Sequence, residues 1–558
     1  MPGCKRSDPV RAGSYNGWVR LSPHALARFA ILAFLLRGAF YCVEQPLWEG
    51  FDEWAHFGYV EHLARYGRLP ARSEPASGPL QRSLELAPLP AAAVGNSPSL
   101  LTHDAWWRVP AEERRRREQE LRGLHASGAP PAPGAPPIYE AQQPPLYYLL
   151  LAMPYLGVRG APLVTQVFVL RLASLLIAAA GLWICYRLFR AVPACRRAAA
   201  PLVLLLALWP GLAIEESRIA NDTLSLAMGA TFLLATFRVL RRDAGTRDWL
   251  LAGAALGLAL LTKGYFLALI PVLPLAAVGR RKNLPQCLAA LATAFLIGGW
   301  WYLRAWLATG TISGEILDSA AAGYGLAGRL AAIPHINWLR VLDTAATTHI
   351  WPGGWSFLNV RAWMYRVFEI PALAGAIGVV LLLRRRYEPR LGVAATSYLL
   401  FCLALAYFAT LVFLMRHYSM APGWYLYGIV GVEAGVLASG FTGLAGPRRS
   451  AAAVAALAIL AAAFDLYTVQ FVSIPYYTGI IAHDPSGRLA TFHLSALRGA
   501  RLLDRLAVNK AIGAPWIAAL WAGYLGANIA GAAGSAVVLR RASVRRGRPK
   551  ARRRRPGP

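Results

Sequence analysis

The chain has 558 residues, of which 56% are hydrophobic and 15% charged, and its mean hydropathy is +0.40. A set of soluble domains does not have this composition, so the sequence predicts a polytopic membrane protein. The formal net charge of +30 would by itself suggest nucleic-acid binding. Most arginines, however, lie in short loops between apolar runs and in the C-terminal tail, as the positive-inside bias requires. We therefore expect contacts with membrane lipid and no nucleic-acid partner.

The first apolar run, residues 25–41, follows several basic residues and lacks a small-residue cleavage site. We interpret it as a signal anchor that leaves residues 1–24 in the cytoplasm. It leads into a long outer loop, residues 44–145, which opens with the sequence WEGFDEWAHFGYV.

Two acidic residues, Asp52 and Glu53, stand side by side near the start of this loop, among several aromatic side chains. In a helix that begins at Phe51, His56 would share a face with Asp52. Carboxylates placed where a span has just left the bilayer suit chemistry at a membrane surface. The alternative is that both acids merely favour the positive N-terminal end of an interfacial helix, and we expect His56 to be structural or interfacial.

The next apolar piece, residues 144–157, is too short to cross a bilayer and contains a proline, so we expect a juxtamembrane or re-entrant helix. Span length and loop charge together predict about 12 transmembrane helices (11–13) with both termini cytoplasmic. The predicted spans are 25–41, 167–188, 202–214, 224–240, 249–261, 265–278, 288–307, 368–383, 393–415, 425–444, 451–472 and 516–538.

The predicted fold is all-α, because helices satisfy their own backbone polar groups in lipid. We divide the chain into a catalytic membrane core at 25–307, which includes the first outer loop, and an outer loop at 308–366. C-terminal transmembrane helices follow at 367–540, and a basic, disordered cytoplasmic tail at 541–558.

This topology collects polar residues at the outer ends of the spans. Carboxylates there could deprotonate an acceptor, while arginine and lysine could hold a phosphate. The candidate substrate-binding residues are Arg171, Arg218, Asn221, Asp222, Lys263 and Arg416. As alternatives, Arg171 and Arg416 would only reach toward lipid headgroups, and Asn221 would cap a helix.

Glu433 lies well inside a predicted span, where we expect it to pair with an arginine or to line a cavity. No metal site is predicted, because the six cysteines form no spacing motif and His56 has no second ligand at a suitable spacing. No cofactor is assigned with certainty. A divalent cation, Mg²⁺ or Mn²⁺, could assist a phosphate, and arginine and lysine could replace it.

Five segments occur in a familiar order: FDEWAH, QQPPLYY, the pair Arg171-Leu172, RIANDTLS and TKGYFLALIPVLPL. Together they resemble the GT-C glycosyltransferases, and most nearly family 39, which includes aminoarabinose transferases and protein O-mannosyltransferases. The resemblance extends over residues 25–275, and it depends on the order and spacing of these segments.

The resemblance implies a polyprenyl-phosphate sugar donor and a lipid, glycan or protein acceptor, joined with inversion at the outer face of the bacterial inner membrane. It implies Asp52 as general base with Glu53 as its acidic neighbour, and Lys263 as a phosphate contact. Family members commonly carry Lys or Arg where this chain has Gln143. That donor contact is then lost, or Arg171 supplies it.

Two other classes of function remain open. A flippase or transporter of a lipid-linked or small-molecule substrate would place charges near the bilayer midplane and show repeat symmetry. Only Arg28, Arg37 and Glu433 suggest such charges, and the sequence has no visible repeat. A scaffold that binds partners through its basic tail would not need an acidic pair opposite a cationic cluster.

Overall fold

The structure, a computed structural model, describes residues 22–94, 100–125, 131, 133–278, 283–497 and 501–544. These residues are mainly helical, with one short parallel strand pair, β1 (Pro88–Leu89) and β2 (Leu101–Thr102). The chain is an all-α polytopic membrane protein, as the sequence predicts. Most of the predicted cytoplasmic N-terminus and of the basic tail lies outside the described residues.

The α-helices are numbered in chain order. In the first half of the chain they are α1 (Pro23–Glu44), α2 (Glu53–Tyr66), α3 (Gly78–Leu86), α4 (Ala91–Val94), α5 (His103–Trp106), α6 (Ala111–Arg122), α7 (Leu146–Val158), α8 (Leu163–Ala191), α9 (Ala199–Leu208), α10 (Pro210–Glu215), α11 (Asp222–Val239), α12 (Thr246–Leu260) and α13 (Val272–Ala277).

The second half contains α14 (Leu284–Ala294), α15 (Trp300–Thr309), α16 (Ile316–Ala320), α17 (Gly325–Ala332), α18 (Trp338–Ile350), α19 (Ala362–Arg385), α20 (Pro389–Arg416), α21 (Val430–Ala445), α22 (Pro447–Thr468), α23 (Ile474–Tyr477), α24 (Leu502–Leu506) and α25 (Ala514–Val544). Short π-helical turns join α14 to α15 and α22 to α23, and 3₁₀ segments lie at Tyr139–Gln142, Gly264–Leu269 and Gly423–Ile429.

Within the described ranges, eight helices are long and apolar enough to cross a membrane. They are Pro23–Glu44, Leu163–Ala191, Leu284–Thr309, Ala362–Arg385, Pro389–Arg416, Gly423–Ala445, Pro447–Tyr477 and Ala514–Ala542. Each coincides with a predicted span. The other four predicted spans correspond to shorter or less apolar helical segments: α9 with α10, α11, α12, and Gly264–Ala277. The predicted juxtamembrane helix is α7, which is 13 residues long.

A buried ion pair joins three of the long helices. Arg37 of α1 lies 2.8 Å from Asp465 of α22, and both side chains are fully buried. Tyr41 and Tyr524 donate hydrogen bonds to the Asp465 carboxylate at 2.5 and 2.6 Å, and Asn528 donates another at 3.2 Å. Arg37 therefore has a structural partner. Its charge within the membrane, which the sequence analysis gave as one hint of a transporter, is explained by this ion pair.

Glycines bring α19 and α21 into direct backbone contact. A Cβ on Gly440 would lie 1.8 Å from the carbonyl oxygen of Gly375, and a Cβ on Gly378 would lie 2.3 Å from the carbonyl oxygen of Gly440. Small residues allow such close approach between membrane helices, where packing replaces the hydrophobic effect. This contact fixes α19 on α21.

The loop after α1 is folded and has its own apolar core. Leu80, Leu121 and Ile138 from the loop are buried together with Tyr148 and Tyr155 of α7. Helix α2 lies on α7, and α7 in turn lies on α8. The start of α2 is thereby held against the membrane bundle.

We predict that Arg37→Leu lowers the free energy of unfolding by roughly 3–5 kcal/mol, because it leaves the Asp465 carboxylate buried without its cation. Thermal or denaturant unfolding of the purified protein would measure this loss. Arg28→Leu is the matched control, since Arg28 lies on the same helix with an exposed side chain. The double variant Arg37→Leu/Asp465→Leu should recover much of the loss. Equal stability of Arg37→Leu and Arg28→Leu would contradict the prediction.

Candidate active site

Asp52 stands at the turn between α1 and α2 with a left-handed backbone, at φ 56°. Aspartate is one of the few non-glycine residues that adopt this conformation readily. Helix α2 begins at Glu53, so the predicted helix start at Phe51 is two residues too early. The Tyr139 hydroxyl donates a hydrogen bond to Asp52 Oδ1 at 2.7 Å, and the Asp52 side chain is partly exposed. Asp52 is therefore held in place and still reachable.

Glu53 is fully buried in a two-pronged ion pair with Arg171 of α8. Arg171 Nε and Nη2 lie 2.8 and 2.6 Å from the two carboxylate oxygens. The remaining guanidinium hydrogens are donated to the carbonyl oxygens of Cys42, Gln45 and Pro46 at 2.8–3.0 Å. All five N–H donors of Arg171 are thus engaged within the protein. This pair positions the turn that carries Asp52 and offers no donor to a phosphate.

Arg218 occupies the other side of the same turn. Its Nε donates to Glu215 Oε2 at 2.8 Å, and its Nη1 donates to the carbonyl oxygen of Phe51 at 2.5 Å. Its Nη2 lies 3.5 Å from Asp222 Oδ2. Gly50 is required here, because a Cβ at that position would lie 2.9 Å from the Arg218 side chain. Arg218 thereby connects the Asp52 turn with the start of α11.

Lys263, between α12 and the Gly264–Leu269 segment, completes the cationic part of the group. Its Nζ lies 2.6 Å from Asp222 Oδ2 and donates a hydrogen bond to it. The ammonium also lies 5.4 and 5.2 Å from the ring centroids of Tyr265 and Tyr425. Lysine side chains over aromatic faces gain electrostatic stabilisation when they are partly desolvated. Lys263 is 8% exposed.

Asn221 and Gln143 form an amide pair beside Lys263. Asn221 Nδ2 donates to Gln143 Oε1 at 3.1 Å and to the Thr262 carbonyl at 3.0 Å. Asn221 makes no side-chain capping bond to α11, so the helix-cap alternative is not what the structure contains. Gln143 Nε2 donates to Glu315 Oε1 at 3.1 Å. Gln143 thus connects the α11 side of the site with the loop after α15.

Two carboxyl groups that the sequence reasoning missed join this group. Burial raises the pKa of Glu140 well above its ordinary value, and the carboxylates of Asp52 and Glu315 raise it further. Burial also raises the pKa of Glu315, to about 7, although Lys263 opposes the shift. Glu140 directly precedes the QQPP segment, so its position was a usable signal. Glu315 has no such signal in its loop.

Two other predicted residues lie differently from the rest. Arg416 ends α20 with an exposed side chain, and its described contacts do not join it to Asp52, Asp222 or Lys263. His56 Nδ1 lies 2.8 Å from the Tyr148 hydroxyl, and burial lowers its pKa well below the ordinary value. His56 is therefore a neutral, packed histidine, as expected.

Within the described residues, no three His, Cys, Asp or Glu side chains are arranged as a metal-binding group. The carboxylates of the site face lysine, arginine, tyrosine and amide groups instead.

The arrangement brings a reachable carboxylate, two carboxyl groups of raised pKa and two cations to one group of helix ends. A carboxylate can accept a proton from a nucleophile, and cations fixed in advance can stabilise a departing anion. These are the parts that a transfer reaction with an anionic leaving group needs.

The fold and this site define a polytopic helical membrane protein with a carboxylate- and lysine-containing site at its helix ends. Residues 143–302 match the family described as Dolichyl-phosphate-mannose-protein mannosyltransferase. The matched segment contains Arg171, Arg218, Asp222 and Lys263, and it does not include Asp52. The match confirms, over this segment, the resemblance to GT-C glycosyltransferases of the family 39 type. A comparison with curated proteins found no significant match.

Solved structures with similarity to this chain include one from a bacterium and one from an archaeon. ArnT from Cupriavidus metallidurans bound to undecaprenyl phosphate is 15% identical, with a TM-score of 0.38, and the match covers 86% of this chain and 75% of that chain. The oligosaccharyltransferase of Archaeoglobus fulgidus in the apo form is 14% identical, with a TM-score of 0.40, and the match covers 91% of this chain and 60% of that chain.

We predict that Arg171→Lys lowers the free energy of unfolding by roughly 3 kcal/mol. A lysine has three N–H donors where Arg171 serves five acceptors, so at least two charge-assisted hydrogen bonds are lost. Arg416→Lys, the same change at an exposed helix end, should leave stability within about 0.5 kcal/mol of the wild type. Parallel thermal unfolding of both variants checks this. A similar loss in the two proteins would mean that the Arg171 contacts do not stabilise the fold.

Proposed function

We propose that the protein is a membrane glycosyltransferase that moves a sugar from a polyprenyl-phosphate donor to an acceptor. The acceptor is a lipid, a glycan or a protein, met at the outer face of the inner membrane, and the anomeric carbon is inverted. The observation that carries this proposal is the grouping of Asp52, Asp222 and Lys263 beside an apolar groove. The family match over residues 143–302, which contains two of these three residues, supports it.

In this reaction the Asp52 carboxylate takes the proton of the acceptor hydroxyl or amine. The freed oxygen or nitrogen forms a bond to the anomeric carbon of the sugar. The bond between that carbon and the phosphate oxygen breaks, and its electron pair leaves with the polyprenyl phosphate. Attack on the face opposite the phosphate inverts the carbon in one step. A phosphate leaves readily, so one base and a cationic clamp are sufficient.

Lys263 is the phosphate contact in this proposal. One of its three N–H donors binds Asp222, so two remain for phosphate oxygens. Asp222 orients the ammonium, and Arg218 adds a second positive charge 3.5 Å from Asp222. Arg171, with every donor engaged on Glu53 and on backbone carbonyls at and just after the end of α1, acts as a positioning residue together with Glu53.

An apolar groove of about 500 Å³ supports a lipid-linked donor. It is lined by Leu260 and Leu267, which lie on either side of Lys263 in the chain, and by Leu291, Trp306 and Ile312. A polyprenyl chain in this groove would bring its phosphate to the lysine. Binding energy from the apolar chain would then hold the reacting carbon in place.

The raised pKa values of Glu140 and Glu315 limit the negative charge of the site. Asp52, Asp222, Glu140 and Glu315 would repel a phosphate if all four were ionised. The raised pKa values of Glu140 and Glu315 keep hydrogen on these groups at lower pH, where they donate hydrogen bonds to phosphate or sugar oxygens.

Asp52→Asn should reduce sugar transfer by about 10²–10⁴-fold, because the amide cannot accept the acceptor's proton. The measurement is transfer of radiolabelled sugar from a panel of polyprenyl-phosphate donors by wild-type and variant protein in proteoliposomes. Polyprenyl-phosphate binding should change little, since the asparagine keeps the shape of the turn.

Glu112→Gln, a change at an exposed side chain on α6, is the matched control and should transfer at the wild-type rate. Equal transfer by wild type and Asp52→Asn would remove Asp52 as the base. Absence of transfer from every donor by the wild type would favour a flippase of lipid-linked substrates.

Polyprenyl-phosphate affinity should fall as the pH rises through about 7, since the Glu315 carboxyl ionises there and repels the phosphate. Titration of wild-type protein with polyprenyl phosphate at pH 6 and pH 8 measures the change. Glu315→Gln mimics the protonated carboxyl, so its affinity should stay near the low-pH value.

The phosphate itself also titrates near pH 6, so wild type and Glu315→Gln must be compared at each pH. An identical pH dependence in wild type and Glu315→Gln would show that Glu315 does not control binding. Lys263→Met should weaken binding at both pH values, which separates the effect of the cation from that of the carboxyl.

A further inference from the structure

A second cavity, of about 370 Å³, lies away from the Asp52 group. Helices α19, α20 and α21 form its sides, α9 and α22 lie behind it, and α18 passes along one end. Its lining is largely apolar, for example Leu206, Leu405, Val430, Phe441 and Leu457. This volume falls within the range of small-ligand sites in proteins.

The glycine contact of α19 with α21 helps to explain why this space stays open. Gly375 and Gly378 hold α19 on α21, while α20 packs on α21 and on the Gly264–Leu269 segment. The cavity therefore lies between α19 and α20, which make their main contacts with other elements and not with each other. Small side chains, Ala372 of α19 and Ala406 of α20, line it from both sides.

The polar groups of the cavity are gathered near the ends of their helices. Glu433 lies in the first turn of α21, and its Oε1 is 3.2 Å from His349 Nε2 at the end of α18. Glu369, near the start of α19, also lines the cavity. The expectation that Glu433 lines a cavity holds, and its partner is a histidine rather than an arginine.

Two carboxylate oxygens in this region lack a hydrogen-bond partner. They are Glu433 Oε2 and Glu369 Oε1, and both atoms are buried. Buried acceptors without partners are costly, so a ligand with N–H or O–H donors would be favoured here.

The charged side chains around the cavity indicate whether it suits a cationic or an anionic ligand. The described lining contains two glutamates and one histidine but no lysine or arginine. Arg366, beside Glu369, also pairs with Asp343, so acidic groups still outnumber cations around the cavity. A phosphate buried here would face more carboxylates than cations, which separates this cavity from the Lys263 site.

We propose that this cavity binds one chain of a bilayer lipid whose headgroup carries a primary ammonium group. The ammonium lies at Glu433 and Glu369 and donates hydrogen bonds to their free oxygens. The chain extends along α21 toward Phe441, eight residues from Glu433 and about 12 Å along the helix. The phosphate of an aminophospholipid stays outside the cavity. This site does not depend on the proposed sugar transfer.

The experiment uses the full chain in vesicles of equal parts phosphatidylethanolamine, phosphatidylcholine and phosphatidylglycerol with matched acyl chains. Native mass spectrometry after mild detergent extraction counts the lipids that stay bound. Wild type should retain phosphatidylethanolamine over phosphatidylcholine by about tenfold, because the quaternary choline group has no N–H to donate.

Glu433→Gln should reduce this preference to about twofold or less, while Glu112→Gln, at an exposed position of α6, should preserve it. Ala406→Trp, which fills the cavity, should remove the retained lipid. This second variant tests the site independently if Glu433→Gln fails to fold, and thermal unfolding of each variant checks that.

A preference for phosphatidylglycerol would overturn the proposal, since it would mean that an anion is bound. Retention that is unchanged in both Glu433→Gln and Ala406→Trp would also overturn it, because the lipid would then lie elsewhere. Loss of sugar transfer with unchanged lipid retention would count against the function proposed above and would leave the lipid site supported.

Discussion

The ion pair between Glu53 and Arg171 is the contact on which the arrangement of the site depends. It joins α8 to the end of α1 and the start of α2, which lie 118 to 129 residues earlier in the sequence. Neither charge is available for other partners, and breaking such a pair leaves a buried charge alone. Its stability keeps the left-handed turn at Asp52 in place, so that a partly exposed carboxylate can have a fixed position beside a membrane.

The second constraint is the balance of charge around Lys263. Acidic side chains outnumber cations there, and they lie in three kinds of environment. Asp222 and Glu215 are paired with cations, Glu140 and Glu315 have raised pKa values, and Asp52 remains partly exposed. A site built in this way can accept an anionic phosphate and still keep one carboxylate as a proton acceptor. Burial and the neighbouring charges together produce the difference between these carboxyl groups.

Much of the fold could be predicted from the sequence, because apolar length and loop charge are local signals. All eight long apolar helices coincide with predicted spans. The grouping of Asp52, Asp222 and Lys263 was also accessible, since each ends or follows an apolar run. What each side chain contacts was not accessible. Whether Arg171 faces a phosphate or Glu53 depends on packing between distant helices, and Glu315 enters the site from a loop whose sequence has no motif. Arg416 looked equivalent to Arg171 and differs from it only in burial.

Glu49, three residues before Asp52, makes a network that extends over most of the chain. Its carboxylate accepts hydrogen bonds from the Ser356 amide at 2.8 Å and from the Tyr477 hydroxyl at 3.0 Å, and it lies 2.9 Å from His103. During synthesis, the partners of Glu49 emerge 54 to 428 positions after it, with Tyr477 the last of them. The loop that carries Asp52 is therefore among the first parts to reach the membrane and among the last to become fixed. A nascent chain therefore carries Asp52 long before all the contacts around its turn have formed, and these contacts are complete only when almost the entire bundle has been inserted.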